Sequence, residues 1–286
     1  MKQILIIIII LQAFVGYTQS SKVCNNFLGT DKNAWFTSSP TRYNDKLLYF
    51  SSTNFLTTKS EVTMHIVDTC GMGYKEVILP IKGINLGGVE IDDYGNILYF
   101  TEKYINDTTT YPVLLKFNLS GTVLLESKPV VFPYPSEKQP YTLEKVADGY
   151  IIGGFDTIYF DYSIGFVMKL DLQGNLIWFN KVFPLDYIPI TSRLLPNGDI
   201  ELLLVRSSAL FIQNIYTVRY NKDGKFLSEK KSSTNTSSEE DYYSGYYKDG
   251  KWVIWGNTRF SYNYAQYHAL MTILDEDLNI DRKSVV

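Results

Sequence analysis

Five times along this chain of 286 residues, a strand-like run ends in Asp or Asn, at positions 68, 118, 171, 221 and 275. The intervals are 50, 53, 50 and 54 residues. In the first four copies a Gly follows three residues later (Gly71, Gly121, Gly174, Gly224), and in the fifth Leu278 stands in its place. A period of this size, filled with short strands, signals an array of similar supersecondary units.

Each period reads as four strands. In the second, they are Gly88 to Asp92, Ile97 to Thr101, Pro112 to Phe117 and a fourth that begins at Val123. Asp, Asn and Gly mark the hairpin turns between them, since these residues tolerate positive φ. The turn between the first and second strands recurs at Asp45, Gly95, Gly149, Gly198 and Gly250. Second strands such as Leu47-Leu48-Tyr49-Phe50 and Ile97-Leu98-Tyr99-Phe100 are apolar throughout, as expected of sheets covered on both faces. No segment sustains a helical period. The fold class is therefore all-β, a β-propeller of five four-stranded blades, at about 34–81, 85–133, 140–184, 187–234 and 240–286. The chain has no spare strand to complete the first blade, so either residues 21–33 pair with the last blade or the end blades simply pack.

Residues 1–20 read as a signal peptide: Lys2, an apolar run from Ile4 to Leu11, then smaller and polar residues. The run is short for a membrane span, so the mature chain is expected outside the cytoplasm, secreted, periplasmic or at the cell surface. Two cysteines remain in the exported chain. A Cys24–Cys70 disulfide would pin residues 21–33 to the first unit, and two free thiols are the alternative. Two Cys and two separated His (His65, His268) make no metal-ligand cluster. With a formal charge of -3 and no basic cluster, the chain is not expected to bind nucleic acid. His65 and His268 fall in outer-strand segments and suggest no catalytic triad.

The segment Val167-Met168-Lys169-Leu170-Asp171-Leu172-Gln173-Gly174-Asn175-Leu176-Ile177-Trp178 resembles the repeats of secreted bacterial propellers, and the quinoprotein-type propeller repeat. In those repeats the motif joins the two outer strands of a blade. Only the third unit carries all of it, because Lys75, Leu125, Ser228 and Arg282 replace Trp178 at the same offset. The resemblance implies a blade-building turn, and no quinone or other cofactor.

Two sets of residues are candidates for function. In a propeller the first strand of each blade lines the channel. Counting back five residues from each first turn gives Pro40, Glu90, Glu144, Arg193 and Gly245 as one layer. Two carboxylates and an Arg there would suit a glycoside hydrolase, and several glycosidase families use five-bladed propellers. A structural charge network is the plainer reading. The second set is the Tyr-rich loops of one rim, with Tyr104, Tyr111, Tyr134, Tyr141, Tyr159, Tyr162, Tyr187, Tyr242, Tyr262 and Tyr264. Tyr there can stack on sugars or anchor a protein, or can simply pack between blades. The expectation is a non-catalytic propeller that binds a protein or glycan, with a carbohydrate hydrolase as the alternative.

Overall fold

The computed structural model describes residues 34–36, 41–53, 61–68, 73–80, 88–92, 94–104, 110–130, 137–159, 162–182, 187–206, 213–236, 240–259 and 267–285. They form five antiparallel sheets and, among the described residues, no helix. The first blade holds β1 (Ala34–Phe36), β2 (Thr41–Tyr43), β3 (Lys46–Thr53), β4 (Glu61–Asp68) and β5 (Tyr74–Ile78). The second has β6 (Val89–Ile91), β7 (Ile97–Tyr104), β8 (Thr110–Phe117) and β9 (Val123–Glu126). The third has β10 (Glu137–Val146), β11 (Gly149–Tyr159), β12 (Tyr162–Asp171) and β13 (Leu176–Lys181). The fourth has β14 (Tyr187–Leu194), β15 (Ile200–Arg206), β16 (Gln213–Tyr220) and β17 (Phe226–Thr236). The fifth has β18 (Glu240–Lys248), β19 (Lys251–Arg259), β20 (Tyr267–Leu274) and β21 (Ile280–Val285). Within every sheet the strands pair in chain order. The first blade has a fifth strand only because its inner strand is split, and β1 and β2 both pair with β3. This is the expected five-bladed propeller.

The repeated Asp/Asn is explained by the turn that it builds. Asn118 Oδ1 accepts from the backbone N–H of Ser120 and of Thr122, both at 3.0 Å. Asp171 does the same for Gln173 and Asn175 (2.9 and 2.8 Å), Asn221 for Asp223 and Lys225 (3.0 and 2.8 Å), and Asp275 for Asp277 and Asn279 (both 2.8 Å). A short side-chain acceptor is therefore required, which Asp and Asn both provide. A further copy sits between the first two strands of the second blade, where Asp92 holds Tyr94 and Asn96. The Gly requirement has two causes. Gly121, Gly174 and Gly224 have φ of 82°, 84° and 82°, which favours Gly. They also lie against the preceding blade, where an added Cβ would come 2.5 Å from Val77, 2.3 Å from Ser127 and 2.7 Å from Trp178 respectively.

Leu278 adopts the same geometry with φ of 62°. A left-handed L-residue costs about 1–2 kcal/mol. Leu278 is fully buried against the fourth blade, and burying a Leu side chain stabilises by about 1.5–3 kcal/mol. Burial outweighs strain, so the fifth repeat can dispense with Gly. Trp178 of the full motif is a clamp between blades. Its Nε1–H donates to the carbonyl of Lys222 at 3.2 Å, and Asn180 Nδ2 donates to that of Gly224 at 2.8 Å, both in the next blade's turn.

The core lies between blades. Leu48, Phe50 and Met64 of the first blade meet Ile97, Tyr99 and Phe117 of the second. Leu98 and Phe100 then meet Tyr150, Ile152 and Met168. Ile151 and Val167 meet Leu202 and Val218, and Leu203 and Val205 meet Trp252 and Ile254. Strand alternation thus gives the second, third and fourth blades one apolar face for the blade before and one for the blade after. On the outer strands Leu124, Ile177, Leu227 and Asp281 fall at register shifts, which bend these unpaired edges away from further strand pairing.

Candidate functional site

Strand register tests the channel layer directly. Glu90 pairs with Leu98, Glu144 with Ile151 and Arg193 with Glu201. Their partners pair in turn with Lys116, Lys169 and Arg219, each two residues before the repeat Asp or Asn. Glu90, Glu144 and Arg193 therefore do share one layer, as the spacing predicts. The other two members are Thr41, opposite Leu48, and Tyr246, opposite Val253. Pro40 lies outside the described residues, and Gly245 is one position off. The counting slips because Gly149 is the first paired residue of its strand, whereas Gly250 lies within its turn.

Sharing a layer does not bring the three side chains together. Glu90 and Glu144 are both partly exposed to the channel, and their charges interact. Burial raises the pKa of Glu90, opposed by a backbone N–H and by Lys145. Burial first, and then the charge of Glu90, pushes Glu144 up to about 8, while the Ser192 hydroxyl, donating at 3.3 Å, works against the rise. Arg193 instead turns toward the fifth blade. Its Nε donates to Glu201 at 2.6 Å, its Nη1 lies 3.2 Å from Glu276, and its guanidinium stacks 3.8 Å above the ring of Tyr247. Arg219 Nε completes the group at 2.6 Å from the other oxygen of Glu201. Arg193 thus belongs to a network between blades and does not face the carboxylate pair.

The raised pKa of Glu144 has a signed consequence for stability. The fold favours the neutral acid, so this contribution is complete below about pH 4.5 and is lost as pH rises through about 8. Glu144→Gln keeps the shape without the titration. The variant is expected to gain about 1–2 kcal/mol over the wild type between pH 5 and pH 8.5, after discounting for solvent in the channel. Equal melting midpoints for the two proteins at both pH values would contradict the assignment.

The layer sits at the turn end of the inner strands. Glu144 is two residues from the end of β10, and Arg193 is one from the end of β14. The Tyr-rich loops open at the other end. Tyr187 begins β14, about 20 Å from Arg193 at the usual strand rise. The carboxylate layer and the strand ends that lead into the Tyr-rich loops therefore lie at opposite ends of the inner strands. Of the ten rim Tyr, Tyr134, Tyr262 and Tyr264 lie outside the described residues, as do the side chains of Tyr104, Tyr141, Tyr159 and Tyr162. The remaining three are engaged in packing. Tyr111 is partly buried against the core between the first two blades. Tyr187 is buried edge-on to Tyr216, with ring centroids 4.8 Å apart. Tyr242 is buried, and its hydroxyl bonds to Glu240 (3.1 Å) and Thr272 (2.9 Å).

One polar constellation escapes sequence reasoning. Tyr74 donates to Glu76, so its oxygen accepts from His65 Nδ1–H at 2.7 Å. His65 Nε2 is then the acceptor for the Ser51 hydroxyl at 2.6 Å. Ser51 and His65 are each 2% exposed, which closes this relay to a substrate. Burial lowers the His65 pKa to about 4, against the opposing effect of Glu76, and keeps the ring neutral. The ring also stacks on Tyr49, with centroids 4.5 Å apart. Its role is to fill the outer face of the first blade with satisfied polar groups. Among the described residues no group of three or more His, Cys, Asp or Glu is placed to hold a metal ion. Cys24, Cys70 and residues 1–20 lie outside the described residues, and no described helix is long and apolar enough to cross a membrane.

No family model and no curated protein matches this sequence. Solved structures do match. A Bacteroides caccae protein of unknown function aligns with a TM-score of 0.58 at 13% identity, over 92% of this chain and 85% of that one. A protein of unknown function from Dyadobacter fermentans gives 0.60 at 11% identity, over 88% and 83%. An endo-1,4-beta-xylanase from Bacteroides thetaiotaomicron gives 0.53 at 11%, over 87% and 94%. The likeness is one of fold. It supports the five-bladed propeller fold for this chain.

Proposed function

We propose that this protein is an exported, non-catalytic propeller that binds a protein or glycan at its Tyr-rich rim, with glycans the first ligand class to test. The observation that carries the non-catalytic reading is the position of Arg193. A hydrolytic layer would aim a positioning cation at its acid and base, and Arg193 is instead held by Glu201 and Glu276. Placement of the carboxylates at the rim opposite the loops supports the same conclusion. The concentration of Tyr in the loop sequences supports the choice of rim, since Tyr offers rigid apolar area with a polar tip. The xylanase on this fold supports glycans as the first class tried.

A carbohydrate hydrolase is the second reading, and Glu144 is the observation in its favour. A carboxylic acid that stays protonated near neutral pH beside a second carboxylate has the character of a general acid with its partner. The test is to replace Glu90 or Glu144 with Gln and assay oligosaccharide binding and cleavage. Binding retained by both variants, with no cleavage by any form, is the expected result. Cleavage by the wild type that either substitution abolishes would establish the hydrolase instead.

A further inference from the structure

Four of the blade interfaces are filled by an apolar cluster that both blades share. The clusters built on Phe50 and Tyr99, on Phe100 and Ile152, on Val167 and Leu202, and on Leu203 and Trp252 each span two consecutive blades. Where the fifth blade meets the first, the cluster among the described residues is Leu47, Tyr49 and Val67, and all three belong to the first blade. The fifth blade does carry apolar residues on that side. Alternation puts Val253, Trp255, Met271 and Ile273 there, and all four are partly exposed. In register with Val253 stand Leu48 and Leu98, with Trp255 stand Phe50 and Phe100, and with Met271 stand Met64 and Leu114. All six of those are 0% exposed. The fifth blade is thus less closely sealed toward the first than the first two blades are toward the blades that follow them.

Toward the fourth blade the fifth is tied fast. Arg193 Nη1 lies 3.2 Å from Glu276, Lys230 Nζ donates to the Glu276 carbonyl at 3.1 Å, and the Ser232 hydroxyl donates to that of Leu278 at 3.1 Å. Leu278 itself is buried against the fourth blade. We propose that the fourth and fifth blades move as one body and that the ring opens and recloses at the junction of the fifth and first, giving the channel a side entrance. Burial of apolar area holds stacked blades together, so the interface that lacks a shared cluster is the one that opens at the lowest cost. Tyr246 and Trp255 line the entrance on the fifth blade, with ring centroids 5.9 Å apart, and Leu47, Tyr49 and Val67 line it on the first. The sheets stay intact during the motion, because every described strand pair lies within one blade.

Thiol labelling of the full chain under native conditions tests this. Val67 and Val130 are each 5% exposed, and Val130 lies in the shared cluster between the second and third blades. Each is replaced by Cys in a separate variant, and labelling at the new position is followed by mass spectrometry. Val67→Cys is expected to react at least about tenfold faster than Val130→Cys, at a rate that low denaturant hardly changes, because local opening exposes far less surface than unfolding. Equal rates overturn the proposal, as does a Val67→Cys rate that follows global unfolding in denaturant. Should either variant fail to fold, carbethoxylation of His65 in the wild type gives the second measurement. His65 is 2% exposed and lies on the same face, paired with Tyr49. Modification well ahead of unfolding supports the opening. A His65 that stays unmodified until the chain unfolds overturns it.

Discussion

Replacing Glu201 with Gln is expected to lower stability by about 3 kcal/mol, at the lower end of the range for breaking a buried ion pair. Glu201 is 3% exposed and takes both Arg193 and Arg219, one on each carboxylate oxygen. Without its charge, Arg193 keeps only Glu276 and the faces of Tyr247 and Trp252. Arg219 is better placed, since its side chain is 45% exposed and water can take over. For a protein of this size the loss corresponds to a fall in melting midpoint of about 6–12 °C. Arg193→Met combined with Glu201→Leu should cost less than Glu201→Gln alone, because no buried charge is stranded. If the double replacement costs more, the network stabilises the blade interface beyond mere compensation of charge.

Phe50→Ala is expected to have an effect of similar or larger size, about 3–5 kcal/mol. Phe50 is completely buried between the first and second blades, stacked on Tyr99 at 4.9 Å and edge-on to Phe117 at 6.0 Å. Its loss leaves a cavity between the first blade and the rings of Tyr99 and Phe117 in the second, at a junction of two sheets whose hydrogen-bonded strands limit collapse. Denaturant unfolding would measure both variants. Since Phe50 and Glu201 lie in different blade interfaces with no shared partner, the double variant should show additive losses within about 0.5 kcal/mol. A marked departure from additivity would mean that the ring yields as a single mechanical unit.

What could be read in the sequence follows from which interactions are local. The repeat was legible because Asp or Asn binds N–H groups two and four residues ahead, and Gly or Leu278 supplies positive φ three residues ahead. Those demands leave a mark at fixed spacing. The layer of Glu90, Glu144 and Arg193 was legible through the same spacing, and the count fell one residue short of Thr41 and Tyr246, where the markers Asp45 and Gly250 lie within their turns. The direction taken by Arg193 was not legible, because Glu276 and Tyr247 come from a different blade. The Ser51–His65–Tyr74–Glu76 relay was equally hidden, since three strands must pair before its members meet. Tyr187 and Tyr242 look like rim residues in sequence, yet their strands carry them into the space between blades.

The most direct measurement is to produce the exported chain and follow its melting midpoint against a panel of oligosaccharides, with product analysis of every sample. A ligand that binds only the folded state, at one hundred times its dissociation constant, stabilises by about 2.7 kcal/mol. A reproducible rise in midpoint with intact oligosaccharide recovered is the predicted result. Shortened products from the wild-type chain would contradict a binding propeller and return Glu90 and Glu144 to the centre of the chemistry.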